Sequence, residues 1–88
     1  MNEKKLYVWQ LAAFLSDHGM SMSGHELATH LNRNNFLTGY GNKYVGGRGT
    51  YTLVRETWRW VHEDLRLPKE AEKIAEAYVL PSGKHAYT

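Results

Sequence analysis

Between Asn34 and Gly49 the chain carries five glycines (Gly39, Gly41, Gly46, Gly47, Gly49) and three asparagines, and this run constrains the fold more than any other feature. Glycine is costly inside a helix, and both residue types favour turns and left-handed backbone. The run is therefore irregular, with "FLT" and "KYV" around "GYGN" as a possible small hairpin. It divides the chain into two helical halves. With 88 residues in total, those halves must share one core, so a single domain is expected.

The N-terminal half predicts two helices. Leu6, Trp9, Leu11, Ala13, Phe14 and Leu15 recur at helical spacing over about 5–17, with Gly19 as the stop. "MSM" is a short extended link. Ser23, three residues before Glu26, has capping-box spacing and starts a second helix over about 24–32, with Leu27, Ala28 and Leu31 inward. The start "MNEKKLYVWQLAAFL" superficially resembles a secretory signal, yet it runs on through Ser16, Asp17 and His18 without a small-residue cleavage pattern. It is read as the amphipathic first helix.

The C-terminal half predicts a third helix over about 51–66, with Val54, Trp58, Val61 and Leu65 on one apolar face and Leu53 and Trp60 widening it. Pro68 opens a fourth, over about 68–78, with Glu70 and Glu72 near its positive end and Ala71, Ile74, Ala75 and Tyr78 inward. The tail "YVLPSGKHAY" predicts a β-hairpin over about 78–87 around Pro-Ser-Gly. The expected fold class is mainly α: four helices and a small C-terminal hairpin, in a helix-turn-helix or winged-helix-like arrangement.

Several chemistries are disfavoured. There is no cysteine, hence no disulfide and no thiolate metal site, as suits a cytoplasmic protein. No apolar stretch is long enough to span a membrane. A phosphate-binding P-loop needs Lys-Ser/Thr after its glycines, and "GNKYVGGRGT" has none. The dinucleotide fingerprint fails because Tyr44 stands where its third glycine belongs. His25 and His30, five apart, do not share a helix face, so no metal or other cofactor is expected. No catalytic triad or carboxylate pair can be assembled, and the chain is read as a binding protein rather than an enzyme.

Charge distribution indicates the partner. From Arg33 to Arg59 five bases (Arg33, Lys43, Arg48, Arg55, Arg59) face one acid, Glu56, on a chain of net charge +2. A basic band is the outline of a polyanion-binding face, though a charge cluster can also be only a solvated surface. On the third helix Thr52, Arg55, Arg59, His62 and Arg66 recur at 3, 4, 3, 4 spacing, with Arg48 and Thr50 just before the helix, and Glu56 and Glu63 are expected off that stripe. Arginine can donate two bonds to guanine in the major groove, threonine can meet a phosphate or a thymine methyl, and a helix N-terminus offers N–H groups to phosphate.

The stretch "ELATHLNRNNFLTGYGNKY" resembles the segment Leu-Asn-x-x-Gly-φ-x-Thr-x-x-Gly-x-x-Trp that leads into the recognition helix of serine-recombinase-type helix-turn-helix domains. The matching residues are Leu31, Asn32, Phe36, Thr38, Gly41 and Tyr44. Asn35 replaces the first glycine and can hold the same left-handed backbone, while Tyr44 replaces tryptophan as an aromatic plug. The resemblance covers about a quarter of the chain and implies an extended turn positioning a DNA-reading helix, in a small phage or mobile-element regulator. The tail hairpin resembles a wing, although the 68–78 helix intervenes before it. The expected partner is double-stranded DNA, bound by Arg48, Thr50, Thr52, Arg55 and Arg59, with Lys43 and Lys84 as peripheral phosphate contacts and a homodimer possible. The rival expectation is a protein-interaction module using Tyr40, Tyr44, Tyr51, Trp60 and Tyr87.

Overall fold

A computed structural model describes residues 3–45 and 48–79, with the backbone alone at Arg48. These residues form α1 (Glu3–Asp17), β1 (Met22–Ser23), α2 (Gly24–Arg33), α3 (Arg48–Arg59), which runs on into a π turn over Trp60–Asp64, α4 (Pro68–Ala77) and β2 (Tyr78–Val79). The described residues are mainly helical, with four helices and a small two-stranded sheet. α1 packs against α4 and α3, and α2 lies against α3.

The core draws on every element. Val8, Ala12 and Leu15 come from α1, Leu27, Ala28 and Leu31 from α2, Leu53, Val54 and Val61 from α3 and its extension, and Ala71, Ile74 and Ala77 from α4. The α2 stripe is the expected one. In α1 the buried set is Val8, Ala12 and Leu15, and Phe14, expected inside, is 54% exposed. It rests instead on His18, ring centroids 4.3 Å apart. The helix is apolar around most of its circumference from Leu6 to Leu15, so its own periodicity does not select a face; α3 and α4 do.

Capping explains the boundaries. The Ser23 side chain accepts the Glu26 N–H at 3.2 Å, satisfying one of the first-turn donors of α2. At the other end Asn35 takes φ +61°, and the Phe36 N–H closes on the Leu31 carbonyl at 3.0 Å. This is the Schellman closure, with asparagine in the place glycine usually fills. Beyond α3, Arg66 takes φ +57° and the Leu67 N–H reaches the Val61 carbonyl at 3.0 Å. That closure spans one residue more than the usual one because the preceding turn is a π turn, in which the Leu65 N–H reaches back to Trp60. The wide turn rotates the chain out of phase with α3. Leu65, expected on the apolar face, is thereby left 38% exposed.

The C-terminal expectation is corrected in part. α4 ends at Ala77, and Tyr78–Val79 pairs in parallel with β1, Met22 against Tyr78 and Ser23 against Val79. Within the described residues the sheet is therefore a parallel pair that ties the end of α4 to the start of α2. Residues 80–88, which carry the rest of the expected hairpin, lie outside the described residues. Tyr78 is fully buried, and its hydroxyl donates to the Val8 carbonyl of α1 at 2.7 Å. The Tyr51 hydroxyl donates to the Val79 carbonyl at 3.1 Å, joining α3 to the same strand.

Candidate nucleic-acid interface

The segment between α2 and α3 is a tightly bonded structure despite its glycines. Asn32 sits in the last turn of α2 and faces Tyr44 across it. Its side-chain NH2 donates to the Tyr44 carbonyl at 2.9 Å, and its side-chain oxygen accepts the Tyr44 N–H at 2.9 Å. A primary amide presents donor and acceptor side by side, so it pairs with the N–H and C=O of one residue as a neighbouring strand would. Between the clamped ends, Thr38 organises a reversal. Its carbonyl accepts the Gly41 N–H at 2.9 Å, and its own N–H donates to Asn42 at 2.8 Å. Its hydroxyl oxygen accepts the N–H groups of Tyr40 and Asn42 at 3.3 and 3.2 Å. Gly41 takes φ +79°, which glycine adopts at little cost.

This turn leans on the start of α3 and on α1. The Tyr44 ring is buried and packs beside Gly49 at the start of α3, 3.5 Å from the place where a Cβ would stand, an ordinary van der Waals distance. Lys4 of α1 donates to the Leu37 carbonyl and holds its ammonium 5.3 Å from the Tyr44 ring centroid. Phe36 packs on Tyr7, centroids 5.4 Å apart. Turn and helix enclose an open groove of about 870 Å3, with Lys4, Tyr40, Lys43 and Tyr44 on one side and Thr52 and Glu56 on the other.

The expected contact residues divide. Thr52, Arg55 and Arg59 are exposed and share one edge of α3 at 3, 4 spacing, and Lys43 is exposed on the groove wall. Both salt bridges in the described residues belong to Lys73, which joins Glu70 and Asp17 on the α1–α4 surface, so none engages Lys43, Arg55 or Arg59. Arg48 is the first residue of α3 rather than a residue before it, and its side chain lies outside the description. Lys84 lies outside the described residues.

Thr50 is a correction. It is fully buried, because α3 begins at Arg48 and Thr50 is therefore inside the helix, on the stripe that continues through Val54, Thr57 and Val61. Thr57 is buried as well and donates to the Leu53 carbonyl at 2.7 Å. The spacing 50, 54, 57, 61 carries this information, but a polar residue at two of the four positions hid it. Thr57 also takes the deep place expected for Trp58, which is half-buried and stacks on His62 at 4.5 Å and 12°.

Two further expectations change. Glu56 was expected off the reading edge, yet it shares the groove wall with Thr52, as its i, i+4 position requires. His62 and Arg66 do not prolong the edge, because the π turn intervenes and Arg66 is the left-handed stop residue. The aromatic surface of the rival expectation also thins. Tyr44 is buried, Tyr51 and Trp60 are half-buried, the latter edge-on to Trp9 at 5.8 Å, and Tyr87 lies outside the described residues. Among the described members of that set Tyr40 alone is prominent, 95% exposed.

Among the described residues no three His, Asp or Glu side chains converge on a metal-binding position, and no helix is long and apolar enough to cross a membrane. Comparison with known proteins brings no likeness to bear: no family model matches the chain, and no curated protein or solved structure matches it.

Proposed function

We propose that the protein binds double-stranded DNA through a helix-turn-helix-like unit made of α2, the clamped turn and α3, with α3 lying in the major groove. One observation carries the reading: Thr52, Arg55 and Arg59 share an exposed edge of a helix whose opposite stripe, Val54, Thr57 and Val61, is locked in the core. The edge spans about 10 Å along the axis, enough for side chains to meet three or four successive base pairs. Arg55 and Arg59 are the base-reading residues, Thr52 touches a phosphate or a thymine methyl, and Lys43 adds a phosphate contact. The turn geometry adds support: within the segment that resembles the serine-recombinase one, Asn35 and Gly41 hold left-handed backbone, Asn32 clamps Tyr44, and the Tyr44 ring is a buried plug. The regulatory role in a phage or mobile element follows from that resemblance alone. A homodimer on a two-fold site would give the small reading edge the affinity a regulator requires.

Glu56 refines the reading. A carboxylate beside the edge repels phosphate and can accept a bond from the cytosine amino group, so it lowers non-specific affinity more than specific affinity. The test is a mobility-shift titration on a diverse duplex pool at several salt concentrations. Arg55→Ala should lose about 1–3 kcal/mol and relax preference at particular bases. Glu56→Gln should strengthen binding to unselected DNA. Absence of any shift by the wild-type protein at low salt, where non-specific contacts are strongest, would overturn the proposal.

A further inference from the structure

The turn between α2 and α3 ends in a ring held out into solvent. Tyr40 is 95% exposed at the tip of the Thr38–Asn42 reversal, and its backbone N–H is bound to the Thr38 hydroxyl. The reversal is anchored on both sides, by the Asn32–Tyr44 clamp and by the Lys4 bond to Leu37. A large side chain on an anchored tip loses little freedom when it meets a partner, because the backbone is already ordered. Tyr40 and Lys43 line the same groove as Thr52, the first residue of the α3 edge. The turn therefore continues the surface that α3 presents, and Lys43 makes its local charge suited to an anion.

We propose that this turn is a second, pre-built DNA contact: the Tyr40 hydroxyl donates to a backbone phosphate flanking the base pairs read by α3, with the Lys43 ammonium on the same strand. The inference rests on the DNA-binding reading and extends it from a helix to a helix plus a clamp on the adjoining backbone. Tyrosine is suited to the role because its hydroxyl donates to phosphate while its rigid ring covers the sugar edge. Such a contact fixes register without reading sequence.

The experiment measures duplex affinity against salt for the wild-type protein, Tyr40→Phe, Lys43→Ala and Arg55→Ala, with thermal unfolding of each to establish that folding is intact. Tyr40→Phe should weaken binding roughly threefold to tenfold on every sequence, the effect of losing one hydrogen bond to an anion, and leave the salt slope unchanged because no charge is removed. Lys43→Ala should also weaken all sequences, and should lower the log–log salt slope by about one. If Arg55→Ala loses affinity while Tyr40→Phe binds as wild type does, the turn contact is wrong and the α3 reading stands. A Tyr40→Phe effect confined to one base pair would also refute a phosphate contact. If the wild-type protein binds no DNA, both readings fall and Tyr40 is left as an anchor for a protein partner.

Discussion

Two residues, Asn35 and Arg66, sit in left-handed backbone that costs an L-residue about 1–2 kcal/mol. Both stop a helix. Asparagine is among the residues that tolerate this conformation, and its role was legible because it replaces a glycine in a segment of known spacing. Arginine is not, and nothing around Arg66 in the sequence announced a left-handed stop. The two positions should respond differently. Arg66→Gly should stabilise the protein by about 1 kcal/mol, and Asn35→Gly by less, whereas Asn35→Val should destabilise it by about 1–2 kcal/mol. Urea unfolding of the three variants checks this, and equal midpoints for Asn35→Gly and Asn35→Val would show that Asn35 is not held left-handed.

At the scale of elements, the glycine-rich connection behaves as one unit because a single side chain closes it. Asn32 bonds both the backbone N–H and the carbonyl of Tyr44, and Tyr44 is buried against Gly49 at the start of α3. Asn32→Ala leaves those groups without their partners and should cost about 1–3 kcal/mol. It should also speed hydrogen exchange at the Tyr44 amide far more than at amides of α1 or α4, since the opening is local. Exchange accelerated equally everywhere would mean that the clamp supports the whole fold rather than the turn. The π turn after Arg59 is the second element-scale feature. It ends the reading edge at Arg59, which a continuous 3.6-residue period through Arg66 could not foresee.

For the whole molecule, the longest-range hydrogen bond among the described residues is that of the Tyr78 hydroxyl to the Val8 carbonyl, joining the end of α4 to the middle of α1. Burial pushes the Tyr78 phenol well above its ordinary range, and the nearby Tyr7 adds to the effect. The folded protein thus keeps this phenol neutral where the unfolded chain would already ionise it. Its contribution to stability is complete below about pH 10 and declines as pH rises beyond that toward the folded value. Tyr78→Phe should cost about 1 kcal/mol at neutral pH and make the unfolding midpoint less sensitive to pH above 10. Unchanged alkaline sensitivity in Tyr78→Phe would assign that limb to another group.

Local chemistry in the sequence determined the four helices, the Ser23 cap, the Pro68 start and the irregular connection between Asn34 and Gly49, because caps, prolines and glycines act through the backbone of their immediate neighbours. The amphipathic α2 and the outward Arg55 and Arg59 were legible for the same reason, since a sharply two-sided helix declares its own buried face. Tertiary structure decided the rest. α1 is apolar on most sides, so its neighbours chose Val8, Ala12 and Leu15 over Phe14. Thr50 joins the buried stripe because α3 starts at Arg48 rather than after it, and Thr57 is buried at the cost of no unmet hydroxyl because it donates to the Leu53 carbonyl of its own helix. Tyr78–Val79 joined Met22–Ser23, more than fifty residues away, because parallel pairing depends on where helices place two short strands and leaves no mark on either strand alone.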